Sequence, residues 1–374
     1  MYKVLQVGMT ENTGGTETYL MAQYRKLDRS KIRYDFLSFT KEKMAFEDEI
    51  INNGDHVYHI VSRLEKPLHH YYQLTKLMWK MKKKYSAVVV NTCDMIYVFP
   101  LLLGYLFGIK KRIIHSHNSG YERNLTIFHK FVLLINKIIA RLSVTDRWAC
   151  SNLAGEWMFK EKDFTVIHNA VNLDKFKFNN AIREKIRRDM KVEKSFIIGN
   201  VARFSYQKNH EFLIKVFKAV HDLDSSAQLW LIGNTSIDMR GDRQYYDRVC
   251  QLIKEYQLED CTKILGIRHD VNLLYQAMDC YVLPSRFEGL CVSAIEAQAA
   301  DLPCVVSNRL SQETKLIEDF VYLPLEEDTS LWAEDILRFK NRKREDNHEI
   351  LQKKGYDINL ELKRVMNLYL DLTV

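Results

Sequence analysis

No apolar run in the 374 residues is long enough to cross a bilayer. The longest, Tyr97 to Ile109, falls short of the roughly 20 residues that a spanning helix needs. The first residues enter a strand pattern at once, Tyr2-Lys3-Val4-Leu5-Gln6-Val7, so no signal peptide is expected. The seven cysteines, at 93, 150, 250, 261, 280, 291 and 304, include no C-x-x-C pair and are odd in number. That argues against a disulfide frame or a zinc site and for reduced, mostly buried thiols in the cytoplasm. There is no P-loop, which needs Gly-Lys-Ser/Thr, and no G-x-G-x-x-G. No nucleic-acid-binding motif occurs, so nucleic acid is not an expected partner. With 47% hydrophobic residues the chain is not disordered and can fill two cores.

Positive charge is spread unevenly. Residues 1–178 carry 27 Lys and Arg against 17 Asp and Glu, and the remainder 28 against 31. A basic first half and a mildly acidic second half imply different partners, with anionic lipid the candidate for the first. The run from Ile127 to Arg141 is strongly apolar with scattered cations. It reads either as a core helix or as a surface helix dipping into lipid headgroups. Lys82-Lys83-Lys84 ends another helix and adds to membrane attraction.

Short β-rich runs alternate with helical patterns along the whole chain. Val4–Val7, Tyr34–Phe39, Val57–Ile60, Ala87–Val90, Arg112–His117, Trp148–Cys150 and Phe164–Ile167 read as strands. So do Phe196–Val201, Gln228–Gly233, Lys263–Gly266, Cys280–Leu283 and Cys304–Ser307. This predicts an α/β chain of two Rossmann-like, doubly wound parallel-sheet domains, 1–178 and 179–355. They would face each other across a cleft, with a helix over 356–374 packing back on the first. The join falls near Asn169 to Arg188, a polar segment with little periodicity. Ligands of such sheets bind beyond the carboxyl ends of the strands.

The chain is organised around Pro284-Ser285-Arg286-Phe287-Glu288-Gly289-Leu290-Cys291, which joins the Cys280–Leu283 strand to a helix expected from about Cys291 to Ala300. Pro284 and Gly289 break the strand, and Asp301-Leu302-Pro303 stops the helix. The helix start directs backbone N–H groups toward whatever sits above it, a ready seat for a phosphate. Glu288 precedes the helix, and Glu296 lies about 7–8 Å further along its axis. A carboxylate there can accept two hydroxyls of a ribose or sugar. Two surface glutamates flanking an ordinary βα unit would show the same spacing.

Glu288-x7-Glu296 within Pro-Ser-Arg-Phe-Glu-Gly-Leu resembles the signature of the retaining, nucleotide-sugar-dependent glycosyltransferases of GT-B fold called family four (group 1). The resemblance extends over nearly the full chain. The Gly8–Glu17 turn, with Gly14 and Gly15, is similar to the family's Gly-Gly turn beside the donor diphosphate; read by itself it is a tight turn. His117, two residues after His115 on one side of a strand, matches the family's donor-sugar histidine. A two-histidine metal site is the weaker alternative. Arg203 and Lys208 resemble the Gly-Arg-x(4)-Lys-Gly phosphate clamp, but Ala202 and Asn209 stand where glycines are usual. Arg268 lies in the turn that receives the base. Ile167–Asn172 resembles the interdomain Asn-Gly-Val-Asp, with Ala170 and Asn172 as departures. Asp222-Leu223-Asp224 could hold a metal in other transferases, but here it closes a helix away from the expected site.

The resemblance implies His117, Glu288, Arg203 and Lys208 as catalytic residues, with no metal and no other cofactor. Gly14, Gly15, Arg268, Gly289, Leu290, Cys291 and Glu296 complete the donor site. It implies transfer of a sugar from a nucleotide-diphosphate donor to a lipid-linked saccharide for bacterial capsule, exopolysaccharide or O-antigen. The enzyme would be cytoplasmic and peripheral on the inner membrane face. A nucleotide-sugar epimerase on the same fold, or a non-catalytic assembly partner, are the alternatives.

Overall fold

The computed structural model describes all residues except 12–13, 122–124, 161–162, 234–239, 327 and 373–374. Asn12 and Thr13 of the Gly8–Glu17 turn therefore lie outside the described residues. The chain forms two units, Met1–Ala170 with Ile358–Val374, and Val171–Asp357.

In the first unit the order is β1 (Tyr2–Val7), α1 (Gly15–Lys26), β2 (Ile32–Ser38), α2 (Glu47–Asn52), β3 (Val57–His59), α3 (Pro67–Met81), β4 (Ala87–Thr92), α4 (Phe99–Leu106), β5 (Lys111–Ser116), α5 (Ile127–Ser143), β6 (Asp146–Ala149), α6 (Asn152–Phe159) and β7 (Thr165–Val166). The second contains α7 (Leu173–Phe176), α8 (Asn180–Asp189), β8 (Phe196–Val201), α9 (His210–Leu223), β9 (Ala227–Ile232), α10 (Arg240–Glu255), β10 (Thr262–Gly266), α11 (Val271–Ala277), β11 (Cys280–Leu283), α12 (Val292–Ala299), β12 (Cys304–Ser307), β13 (Phe320–Leu323), α13 (Thr329–Leu337) and α14 (His348–Lys353). The last helix, α15 (Ile358–Leu370), belongs to the first unit.

Both sheets are parallel throughout. Their orders are β3-β2-β1-β4-β5-β6-β7 and β10-β9-β8-β11-β12-β13. Each reverses direction once, between β1 and β4 and between β8 and β11. Loops leaving the two strands at such a reversal diverge and leave a crevice.

The strands are apolar because helices cover both faces. Val4, Val89 and Ile113 meet α1 and, from α15, Leu362, Val365 and Tyr369. On the opposite face α4 lies against β4, where a Cβ on Gly104 would come within 3.0 Å of Val88. α4 touches both α3 and α5.

The polar Asn169–Arg188 segment is not a plain joint, since it contains α7 and α8. The unit border precedes both, at Ala170. Instead of a broad apolar stripe, α8 is fixed by guanidinium groups. Arg183 donates to the Gln276, Ala277 and Met278 carbonyls and pairs with Asp279, and Arg187 donates to the Ala277 carbonyl at 2.7 Å. Asp222 pairs with Lys218 at 2.5 Å and Asp224 with Lys340 at 2.6 Å, at the end of α9. None of the seven cysteines forms a disulfide. No helix among the described residues is long and apolar enough to cross a membrane.

Candidate active site

In the second unit, the β8/β11 reversal sets two loops side by side. The Arg203–Asn209 loop leaves β8, and the Pro284–Cys291 loop leaves β11. Backbone and side chains lace them together. Arg286 N–H donates to the Gln207 carbonyl at 2.8 Å, and Gln207 Nε2 to the Phe287 carbonyl at 2.9 Å. The Arg286 guanidinium lies 4.4 Å from the Tyr206 ring centroid, and its Nη2 donates to Asn209 Oδ1 at 2.8 Å. These contacts fix the spacing of the charged groups. Gln207 and Arg286 stood inside the matched motifs, but nothing in their spacing marked them as braces.

At the centre of the lacing, Lys208 Nζ lies 2.6 Å from Glu288 Oε1. Glu288 is only 6% exposed. Burial works against the Lys208 ammonium, but the facing Glu288 and nearby Cys291 outweigh it, so its pKa lies above that of a free lysine. Arg203 is close enough to push the other way. The structure thus brings Arg203, Lys208, Glu288 and Cys291 together. Gly289 and Leu290 lie between the last two and are buried. Cys291 is the N-cap of α12, and its own side chain makes no capping hydrogen bond to that helix. Its first N–H groups carry the partial positive charge of a helix start.

Asn209 stands where the resembled clamp has a glycine. It adopts φ 58°, the left-handed conformation that a glycine would supply, and asparagine tolerates it better than most residues. Gly233 packs against the backbone of this loop: a Cβ on it would lie 2.0 Å from the Ala202 carbonyl oxygen.

Glu296 sits inside α12. Tyr275 donates its hydroxyl to Glu296 Oε2 at 3.2 Å and to the Ser293 carbonyl at 3.0 Å. Burial raises the Glu296 pKa to about 7, against the pull of Tyr275 and Lys175. Arg268 is not brought to the Lys208–Glu288 pair. It follows β10, two strands from β8, and is paired with Asp270 at 2.8 and 2.6 Å.

In the first unit, β1 is followed by Gly8, whose φ is 117° and which lies close against the β4 backbone at Asn91. Glu17 folds back from α1 and accepts from Thr10 N–H (3.0 Å), the Thr10 hydroxyl (3.0 Å) and Gly14 N–H (3.1 Å). A Cβ on Gly14 would meet Glu17 at 2.9 Å, whereas one on Gly15 would meet nothing within 4 Å.

His117 follows β5. Asn91 spends its amide nitrogen on Gln6 Oε1 (3.0 Å) and the Val7 carbonyl (3.2 Å). Its Oδ1 is then an acceptor, so the 3.1 Å contact from His117 Nε2 carries the ring proton. His117 Nδ1 is left as a lone pair. Burial depresses the His117 pKa to about 3, so the ring stays neutral at working pH. His115 packs deeper, against Tyr19 and Trp148, with its ring 4.1 Å from that of His117. Among the described residues, no three His, Cys, Asp or Glu side chains gather as metal ligands would.

Residues 182–357 match the family model described as Glycosyl transferases group 1. EpsF of Bacillus subtilis (strain 168) is 30% identical over 378 residues, 98% of this chain and 96% of EpsF. The chain belongs to the group 1 glycosyltransferases. As a glycosyltransferase it is also 26% identical, over 325 residues, to the UDP-Gal:alpha-D-GlcNAc-diphosphoundecaprenol alpha-1,3-galactosyltransferase of Escherichia coli, covering 80% of this chain and 81% of that one. Its fold is that of HepE from Anabaena, whose crystal structure contains UDP-glucose. The TM-score is 0.73 at 18% identity, over 99% of this chain and 95% of HepE. Both sheets of this glycosyltransferase thus follow the GT-B plan. The family match covers Arg203, Lys208, Glu288 and Glu296 but not the first unit.

Proposed function

We propose that this glycosyltransferase moves a sugar from a nucleotide-diphosphate donor, with retention and without a divalent metal, to a lipid-linked saccharide in bacterial surface polysaccharide assembly. The observation that carries the reading is the Lys208–Glu288 contact, with Arg203 beside it, next to the start of α12. Departure of a nucleoside diphosphate leaves negative charge on its oxygens. Fixed cations and helix N–H groups aimed at those oxygens lower the barrier. Arg203 and Lys208 take the diphosphate, Glu288 the donor sugar and Glu296 the ribose. His117 Nδ1 accepts a sugar hydroxyl, Gly14 and Gly15 border the diphosphate, and Arg268 marks the turn for the base. The diphosphoundecaprenol in the name of the Escherichia coli relative supports the lipid-linked acceptor.

The test is mass spectrometry of products from UDP-sugars and a lipid-diphosphate saccharide, with NMR of the new anomeric linkage. Excess EDTA is expected to leave the initial rate unchanged; abolished turnover would sink the metal-free reading. Conversion of the donor without acceptor into an isomerised sugar nucleotide would point to the epimerase instead.

A pH dependence follows from Glu296. Ribose hydroxyls favour its ionised form, so binding releases a proton and affinity rises with pH through about 7. UDP is expected to bind about tenfold more weakly at about pH 6 than at about pH 8. Calorimetry should find the dependence removed in Glu296→Gln. An unchanged profile in that variant would remove Glu296 from the ribose.

A further inference from the structure

The outer side of the α3–α4–α5 layer is apolar and basic at once. α5 has 17 residues, of which only Leu133, Ala140 and Ser143 are buried. Ile127, Phe128, Phe131, Leu134, Ile138 and Leu142 are all more than half exposed. At 100° per residue they fall within an arc of about 120°. Lys130, Lys137 and Arg141 fall together on one flank of that arc. The other flank, with Val132 and Ile139, lines a cavity of about 380 Å³ shared with α3 and α4.

α3 repeats the pattern, with Leu68, Tyr72 and Trp79 exposed. Lys76 lies over the Tyr72 ring and Lys82 over that of Trp79, at 5.8 and 5.3 Å. Residues 67–143 contain 12 Lys and Arg against two acidic residues, Asp94 and Glu122. The positive excess of the first 178 residues therefore lies entirely within this stretch. A monomer in water rarely leaves so continuous an apolar stripe uncovered. An acidic protein partner would match the cations but not a stripe this apolar. Aromatic rings and lysines flanking an apolar stripe suit the boundary between headgroups and acyl chains.

We propose that this face seats on an anionic lipid bilayer. α5 lies in the plane of the surface, its apolar stripe turned toward the acyl chains and its Lys130–Lys137–Arg141 edge against the headgroup phosphates. The inference does not rest on the sugar-transfer reading, and its test uses no donor or acceptor.

The test is flotation of the full chain with vesicles of equal phosphatidylglycerol and phosphatidylcholine, or of phosphatidylcholine alone, at low and at physiological salt. Two triple variants accompany it: Phe128→Ser with Phe131→Ser and Leu134→Ser, and Lys130→Glu with Lys137→Glu and Arg141→Glu. All six positions lie outside the buried core, so each variant should keep the wild-type melting temperature. The wild type is expected to float with the anionic vesicles and to partition more than about tenfold less onto neutral ones. Each triple is expected to lose more than about tenfold of the anionic partition. A wild type that stays unbound at low salt overturns the proposal, as do variants that float as well as wild type. A wild-type dimer that the serine triple dissolves, without flotation, assigns the face to a second copy and also overturns it.

Discussion

Lys208→Ala is expected to lower kcat for sugar transfer by about two to three orders of magnitude. The reason is positional. Lys208 reaches Glu288 at 2.6 Å because Gln207, Arg286 and Asn209 lock the loops after β8 and β11 together. Its pKa lies above that of a free lysine, so the charge is present through the working pH range. On the proposed reading, alanine removes the charge where the leaving diphosphate would develop its own. It also leaves the buried Glu288 without this cation, a cost of about 1–3 kcal/mol in stability. A loss of folding must therefore be separated from a loss of chemistry. Initial rates, UDP affinity and melting temperature on the same preparations do this. Lys208→Arg should restore melting temperature more fully than rate, because a planar fork cannot occupy the place of a point charge. Arg203→Ala should lower kcat too, and the double variant should lose less than the product of the singles. A kcat within about threefold of wild type for Lys208→Ala, in a folded protein, would end the diphosphate assignment.

Gly8→Ala is expected to destabilise the first unit by about 3 kcal/mol or more. The residue sits at φ 117°, and an added Cβ would lie 2.1 Å from the Asn91 carbonyl oxygen. That neighbour is backbone of β4 and cannot swing aside. The shift required would move Asn91, which holds the His117 ring. Gly15→Ala makes the contrasting case, since no atom stands within 4 Å of its Cβ. Its stability should match wild type, while kcat/KM falls if Gly15 borders the donor. Urea denaturation of both variants checks the pair. A Gly8→Ala midpoint equal to wild type would refute the close-approach argument.

Strand existence was visible in the sequence because buried parallel strands are short apolar runs between turn residues, as in Cys280–Leu283. The β13 strand, Phe320–Leu323, is less legible, because Glu318-Asp319 and Glu326-Glu327-Asp328 make its surroundings read as an acidic loop. Helix α8 escaped for a different reason. Its arginines bond to carbonyls far along the chain, and no periodicity reports that. In the site, residue types and order pointed to Arg203, Lys208, Glu288 and Glu296. What the sequence could not display is which partner each meets. Tyr275, which donates to Glu296, lies 21 positions away, and Asn91, which fixes the His117 proton, lies 26 away. Arg268 shows a further limit: Asp270, two residues on, takes its guanidinium, and no spacing in the sequence reports that pairing.

The second unit is one unbroken stretch, whereas the first needs α15, made after it. Leu362, Val365 and Tyr369 fill the first core, and Gln6 Nε2 donates to the Tyr369 hydroxyl at 3.3 Å. Translation therefore delivers the parts out of order. The later-made unit has all its residues before the earlier one does. Until Tyr369 leaves the ribosome, β1 and α1 wait with an open apolar side. A chaperone that holds nascent chains would find its longest-lived target there.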